Sequence, residues 1–327
     1  MEQIDYDIDD FMNYCDVKNL SKKTLRSYDL TLRLFANYLK EKHKIKEAAE
    51  VREIHIREYI KYLEERGKYT VVGNQATLKT NCPENREDYK KPMTKTTINN
   101  YIRNIKVFFN YMYDNRYINI NPIRRIRQLV NPRKAVGYID DVNMNKLLKC
   151  FDLSKFYEYR DYIIAQLIFD TGMRLGETLL IKETEIDFVR RTIRLPGENT
   201  KGKKERFVFF STQMLKELKR WLQYKDRYHH TTYIFCSTRG TQLQVRSYEK
   251  NFRQYGRRIG IGEIHPHMLR NNFAKRFLMS GGDIYTLSKI LGHSSVAVTE
   301  EAYLDLQCDD LRMQYQKHSP LSNLMRA

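Results

Sequence analysis

Cysteine is scarce in this chain and never clustered. Its five cysteines, Cys15, Cys82, Cys150, Cys236 and Cys308, are odd in number and far apart. No CxxC and no Cys/His cluster is present, which excludes a zinc finger or a disulfide scaffold and points to a reducing, cytoplasmic setting. Proline and glycine are sparse too, at seven and fourteen of 327 residues, so collagen-like and low-complexity chains are excluded. No apolar run approaches the ~20 residues that a membrane-spanning helix needs. Met1-Glu2-Gln3-Ile4-Asp5 is acidic where a secretion signal needs a basic start and then an apolar run. No phosphate-cradling glycine loop and no internal repeat is visible.

Positive charge is what the chain has in excess. Lysine and arginine total 58 against 40 acids, a formal net charge of +18. That balance selects a polyanionic partner, nucleic acid ahead of a membrane surface. The excess is concentrated. Residues 91–134 hold Lys91, Lys95, Arg103, Lys106, Arg116, Arg124, Arg125, Arg127, Arg133 and Lys134 against one acid, Asp114. A solvated helix face mixes signs, so this stretch is expected to contact phosphates.

Length and a 41% hydrophobic content predict about two domains. In the first half, Leu25, Tyr28, Leu32, Phe35 and Leu39 recur at spacings of three and four behind Ser21, a suitable N-cap. This is expected to be the first helix of the domain. Ile56, Tyr59, Ile60 and Leu63 predict a second. Residues 67–91 lose the pattern and predict a long loop or small hairpin. Thr94 or Thr96 opens a third helix with Ile98, Ile102, Ile105, Phe109 and Met112 on its buried side. The expected division is 1–130, a basic linker at 131–137, and 138–327. Asp140 or Asp141 then caps a helix running to Cys150, and Tyr162, Ile163, Leu167 and Ile168 mark a longer apolar helix. The period changes to two at 186–189, 192–195 and 206–209, which predict strands. A lysine-rich turn at 196–204 lies between the last two. The chain is mostly helical after Ser211. The expected fold class is mainly α with a small antiparallel β-sheet.

Four features follow one another in the second half. Thr171-Gly172-Met173-Arg174-Leu175-Gly176-Glu177 places an arginine at a helix end. Lys201 lies in the strand–turn–strand. His267-Met268-Leu269-Arg270 puts His267 and Arg270 three apart on one helical face. Leu291-Gly292-His293-Ser294-Ser295 precedes Tyr303. Singly, each has an ordinary explanation. An arginine at a helix terminus serves the helix dipole, and any one of 24 tyrosines more often packs than reacts.

As an ordered set on a strongly basic chain, these features resemble the catalytic signature of the tyrosine recombinases, or phage integrase family. The pieces are Arg-x-x-Glu, a hairpin lysine, His-x-Leu-Arg, Leu-Gly-His-Ser and a downstream tyrosine. The first half is similar, less specifically, to that family's helical, SAM-like core-binding domain, which precedes a mixed α/β catalytic domain. The resemblance implies that Tyr303 attacks a DNA phosphodiester, forming a 3′-phosphotyrosyl bond and releasing a 5′-hydroxyl, without ATP, metal or other cofactor. Arg174 and Arg270 would hold the charge gathering on the non-bridging oxygens, and Glu177 would orient Arg174. Lys201 would be the general acid, with Lys203 the alternative, and His267 and His293 would assist at the phosphate. Lys203 and Lys204 join the DNA-contacting set.

His265 lacks the x-Leu-Arg continuation. Tyr303 follows His293 by ten residues where many members show nine. Tyr285 and Tyr315 fall outside the pattern.

The partners implied are double-stranded DNA at a specific site, a homotetramer on two sites exchanging strands through a Holliday junction, and an accessory bending or directionality factor. With the first helix placed at Ser21, no room remains for an additional arm-binding domain, so a two-domain enzyme is expected, its C-terminal tail docking on a neighbouring protomer. The insertion at 67–91 tilts the expectation toward integration and excision of a mobile element or phage. Dimer resolution, a type IB topoisomerase-like activity and non-catalytic DNA binding are the alternatives.

Overall fold

The computed structural model describes residues 2–71, 82–132, 137–200, 202–303, 312 and 315. The chain divides into two compact units, Met1–Arg133 and Lys134–Ala327.

The first unit begins earlier than the sequence pattern suggests. Helix α1 (Gln3–Val17) precedes α2 (Lys22–Tyr38), followed by α3 (Glu53–Glu65) and α4 (Lys95–Asp114). The expectation that helical structure starts at Ser21 is therefore corrected. Acids crowd α1, yet Ile4, Ile8, Phe11 and Cys15 form a single fully buried stripe. Phe11 meets Phe108 edge-on at 5.5 Å between ring centres, and Phe35 packs on Tyr59 at 4.9 Å. These rings join α1, α2, α3 and α4 in one core. Ser21 caps α2 by accepting from the Thr24 amide, and Thr94 caps α4 by accepting from Thr97. Between α3 and α4 the ends of the insertion pair. The Lys68 amide donates to Lys91 and the Lys90 amide to Lys68, beside a bridge from Gly67 to Pro92. Residues 72–81 of this segment lie outside the described residues, as do 133–136 of the expected linker.

The second unit is built around one central helix. Elements follow as α5 (Asp141–Lys149), α6 (Phe156–Thr171), α7 (Leu175–Thr178), β1 (Ile186–Asp187), β2 (Thr192–Leu195), β3 (Arg206–Phe209), α8 (Thr212–Asp226), α9 (Val245–Arg258), α10 (Pro266–Met279), α11 (Ile284–Leu291) and α12 (Val296–Tyr303). Asp140 caps α5 by accepting from Asn143 at 2.8 Å. Helix α6 packs against α8 and α10, and Ile163, Ile164, Leu167 and Ile168 are buried in the core. It also buries an acid pair. Glu158 receives Arg258 at 2.7 and 3.2 Å, and Asp161 receives the adjoining Arg160, Asn251 and Tyr255. Buried carboxylates persist only with such partners.

The sheet is antiparallel in the order β1-β2-β3, with Ile193 opposite Val208 and Leu195 opposite Arg206. The first strand is shorter than predicted. The Asp187 carboxylate accepts from the Val189 and Arg190 amides, turning the chain and leaving Val189 93% exposed. Among the described residues no helix is long and apolar enough to cross a membrane.

Candidate active site

The site is assembled from the breaks between helices. Gly172 ends α6 in the left-handed region, at φ 68°. The chain there turns outward, so Arg174 stands between α6 and α7 as the residue capping α7, rather than on a helix terminus proper. Three residues on, Glu177 is almost fully buried. Its Oε2 accepts the Arg174 amide at 3.1 Å, and its Oε1 accepts Arg174 Nη1 at 3.0 Å. Arg206, from β3, closes a fork on the same carboxylate at 3.1 and 2.6 Å. Burial alone would push Glu177 up. The Arg206 fork outweighs it, with help from Arg174, and holds the carboxyl below its ordinary range.

His267 and Arg270 come from the first turns of α10, which Pro266 opens. Arg270 is buried and donates to the carbonyls of Gly172 at 2.7 Å and Leu291 at 2.9 Å. Its Nη2 also lies 3.0 Å from His293 Nε2. A guanidinium only donates, so Nε2 is the acceptor and the His293 proton sits on Nδ1. From there it donates to the buried hydroxyl of Thr299 on α12, at 2.7 Å. Gly292, at φ 65°, makes the turn that presents His293. His293 is pressed down to about 4 by loss of hydration, then by Arg270, Arg174 and Arg206. His267 keeps part of its ring in solvent at the cleft rim. Loss of hydration there, then the charges of Arg270, His265 and Arg174, lower it as well.

Arg174, Glu177, His267 and Arg270 line one cleft of about 610 Å³, together with Asn199, Val245, Glu249 and His265. Among the described residues, Glu177 is the one hydrogen-bond partner of the Arg174 guanidinium, which remains 23% exposed. Two guanidiniums and the His267 imidazole at one cleft, with His293 held behind Arg270, can receive an oxyanion and relay a proton. Tyr303 ends α12 one turn beyond Thr299. Its side chain lies outside the described residues, as does Lys201. Lys203 and Lys204 are exposed in the turn before β3, where Thr200 bridges the Gly197 and Lys204 carbonyls. Among the described residues no group of three or more His, Cys, Asp or Glu is placed to hold a metal.

The basic residues of the first unit fall in two groups. Arg103 and Lys106 on α4 and Arg124, Arg125 and Arg127 beyond it line a second cleft of about 590 Å³. Lys91 and Lys95 stand outside it, with the Lys95 ammonium on the Val130 carbonyl. Arg133 and Lys134 lie outside the described residues. Sequence reading missed Arg206 and Thr299 as parts of the site. Arg206 ends a Lys-Gly-Lys-Lys-Glu-Arg run whose pattern singles out the lysine and gives the arginine no role, and nothing in the sequence marks Thr299.

Comparison with known proteins decides the family. Residues 138–309 match the Phage integrase family, and residues 8–80 match the Phage integrase, N-terminal SAM-like domain. The chain belongs to the tyrosine recombinases. Tyrosine recombinase XerC of Thermodesulfovibrio yellowstonii is 29% identical over 244 residues, covering 72% of this chain and 80% of that protein. XerC of Chlamydia caviae is 32% identical over 209 residues, covering 63% and 66%. In fold, the chain is similar to the Tn1549 transposon integrase in complex with transposon right end DNA, with a TM-score of 0.73 at 14% identity over 98% of this chain and 100% of that one. It is also similar to XerH recombinase bound to a palindromic difH substrate, with a TM-score of 0.67 at 19% identity over 93% and 82%. The recombinase thus carries the mainly helical fold with a three-stranded sheet that its residue pattern predicts.

Proposed function

We propose that this recombinase cuts and rejoins duplex DNA at a specific site through a 3′-phosphotyrosyl intermediate. The convergence of Arg174, Arg270 and His267 at one cleft, with His293 bonded to Arg270 behind it and tied through Thr299 to the helix that ends at Tyr303, carries this reading. The Tyr303 oxygen attacks phosphorus, its phenolic proton passing to a neutral histidine of the site, and the bond to the 5′-oxygen breaks. That oxygen takes a proton from Lys201, or from Lys203, and leaves as a hydroxyl. Arg174 and Arg270 neutralise the non-bridging oxygens as negative charge gathers there, and the histidines donate to them or relay the proton. Attack by a second 5′-hydroxyl reverses the step and frees Tyr303. Residues 138–327 do this chemistry, and residues 1–130, with the cleft of Arg103, Lys106, Arg124, Arg125 and Arg127, grip the duplex backbone. Lys91, Lys95, Arg133, Lys134, Lys203 and Lys204 extend that grip. Four protomers on two sites exchange strands through a Holliday junction in the cytoplasm.

Relatives named XerC favour resolution of chromosome or plasmid dimers as the task. The insertion at 67–91 favours a second reading, integration and excision of a mobile element. Covalent capture tests both levels. Duplexes selected by binding from a random-sequence library, and nicked near the bound segment, should yield an SDS-resistant adduct. It should vanish in Tyr303→Phe and survive in Tyr285→Phe and Tyr315→Phe. An adduct in Tyr303→Phe would move the nucleophile. Tight binding without an adduct would make the chain a DNA-binding protein, and relaxation of any supercoiled plasmid would make it topoisomerase-like. Adducts mapped on the host genome should fall at one chromosomal site for dimer resolution, and at the ends of an inserted segment for a mobile element.

A further inference from the structure

Arg206 belongs to no part of the chemistry above, yet it links two elements of the site, α7 and the end of α11. It is nearly buried, with 11% of its side chain exposed. Both terminal nitrogens close on Glu177, at 3.1 and 2.6 Å, and Nε donates to the Ile290 carbonyl at 3.2 Å. Glu177 in turn holds the backbone and the guanidinium of Arg174. Ile290 and Leu291 end the helix that leads into His293, and the Leu291 carbonyl is held by Arg270. Gly292 gives Arg206 its space: a Cβ there would stand 2.8 Å from Arg206 Cδ and Nε. The same side chain rises from the strand that follows the Lys201 turn. A lysine could supply the charge but not three directed N–H groups in one plane.

We propose that Arg206 is a positioning residue for strand cleavage, fixing the Arg174 guanidinium through Glu177 and the His293 loop through Ile290. This rests on the reading of Arg174 and His293 as phosphate-contacting groups. Arg206 itself touches no DNA. Its loss lets Arg174 swing and loosens the preorganised charge that the transition state needs.

The test uses the full-length protein and the selected, nicked duplex, with cleavage followed in a single turnover. Arg206→Lys should slow cleavage by about 10–100-fold, the usual cost of losing a residue that orients a reacting one, while DNA affinity changes little. Arg174→Ala is run alone and with Arg206→Lys. Two residues acting largely as one unit lose activity non-additively, so the double variant should lose clearly less than the product of the two single defects. A duplex with a methylphosphonate at the scissile position, lacking one charged oxygen, should shrink the Arg206→Lys defect.

Multiplying defects, an unchanged methylphosphonate ratio, or wild-type cleavage by Arg206→Lys would overturn the proposal. If Arg174→Ala cleaves normally, the reading of the site itself fails, and Arg206 fails with it. Should Arg206→Lys not fold, Arg206→Gln is judged by the same criteria. Failure of both to fold would assign Arg206 to the fold alone and also overturn the proposal.

Discussion

His293 shows how a motif residue acquires a chemical state only through its neighbours. Arg270 donates to Nε2, so the imidazole serves as a neutral acceptor in the resting site. Protonation would cost the ring its lost hydration and place a fourth cation beside three guanidiniums, which is why the group is held to about 4 instead of the ordinary 6.5. Between those two values the unfolded chain takes up a proton that the native chain declines. Its contribution to stability is therefore complete above pH 6.5 and is lost as pH falls through the window toward 4. In the DNA-free protein, the His293 Cε1–H resonance, assigned with His293→Gln, should titrate with a midpoint near 4. A midpoint at 6 or above would show that Arg270, Arg174 and Arg206 do not press on it. The Leu-Gly-His-Ser spacing made His293 legible in the sequence. Its Thr299 partner and its protonation state were not, because both depend on contacts made only when α12 packs.

Among the elements, the ends carry more of the site than the helices themselves. Gly172 stops α6 so that Arg174 can turn into the cleft, and it lies against α10 and α11. An added Cβ there would meet Phe273 Cδ1 at 2.4 Å and Leu291 Cδ2 at 2.8 Å, in a left-handed backbone that already disfavours one. Gly172→Ala should therefore destabilise the second unit by about 2–4 kcal/mol. Gly176→Ala, with nothing within 4 Å, should change it little. Trp221, the single tryptophan, is fully buried in that unit, so denaturation followed by its fluorescence reads the difference. Equal stability of the two variants would remove Gly172 from the packing argument. Elements whose apolar period was unmixed, such as α2 and α4, could be read from the sequence with their Ser21 and Thr94 caps. Helix α1 could not, because Asp5, Asp7, Asp9 and Asp10 mask a stripe of only four buried residues. Val189 gave a strand signal that the Asp187 turn overrode. Arg206 was hidden for another reason: one residue of a basic run looks like its neighbours until a buried acid selects it.

For the whole molecule, the +18 charge matters through where it gathers. Arg103, Lys106, Arg124, Arg125 and Arg127 are exposed around one cleft, and among the described residues their one side-chain hydrogen bond runs from Arg103 to its neighbour Asn100. Guanidiniums left unpaired in water have phosphates as their natural counter-ions, and each phosphate contact releases condensed cations from DNA. The logarithm of the association constant should thus fall steeply and linearly with the logarithm of salt concentration. Each contact contributes a slope of about 0.9, so Arg124→Ala with Arg125→Ala should flatten the line by about 2 and weaken binding alike on every sequence. Lys61→Ala, on α3 and facing Glu65 at 3.9 Å, should leave the slope unchanged. If the slope instead stays fixed in the double variant, the cleft is not where this unit meets DNA. If the slope falls but only on the selected site, these arginines read bases rather than hold the backbone, and specificity would then reside in the first unit.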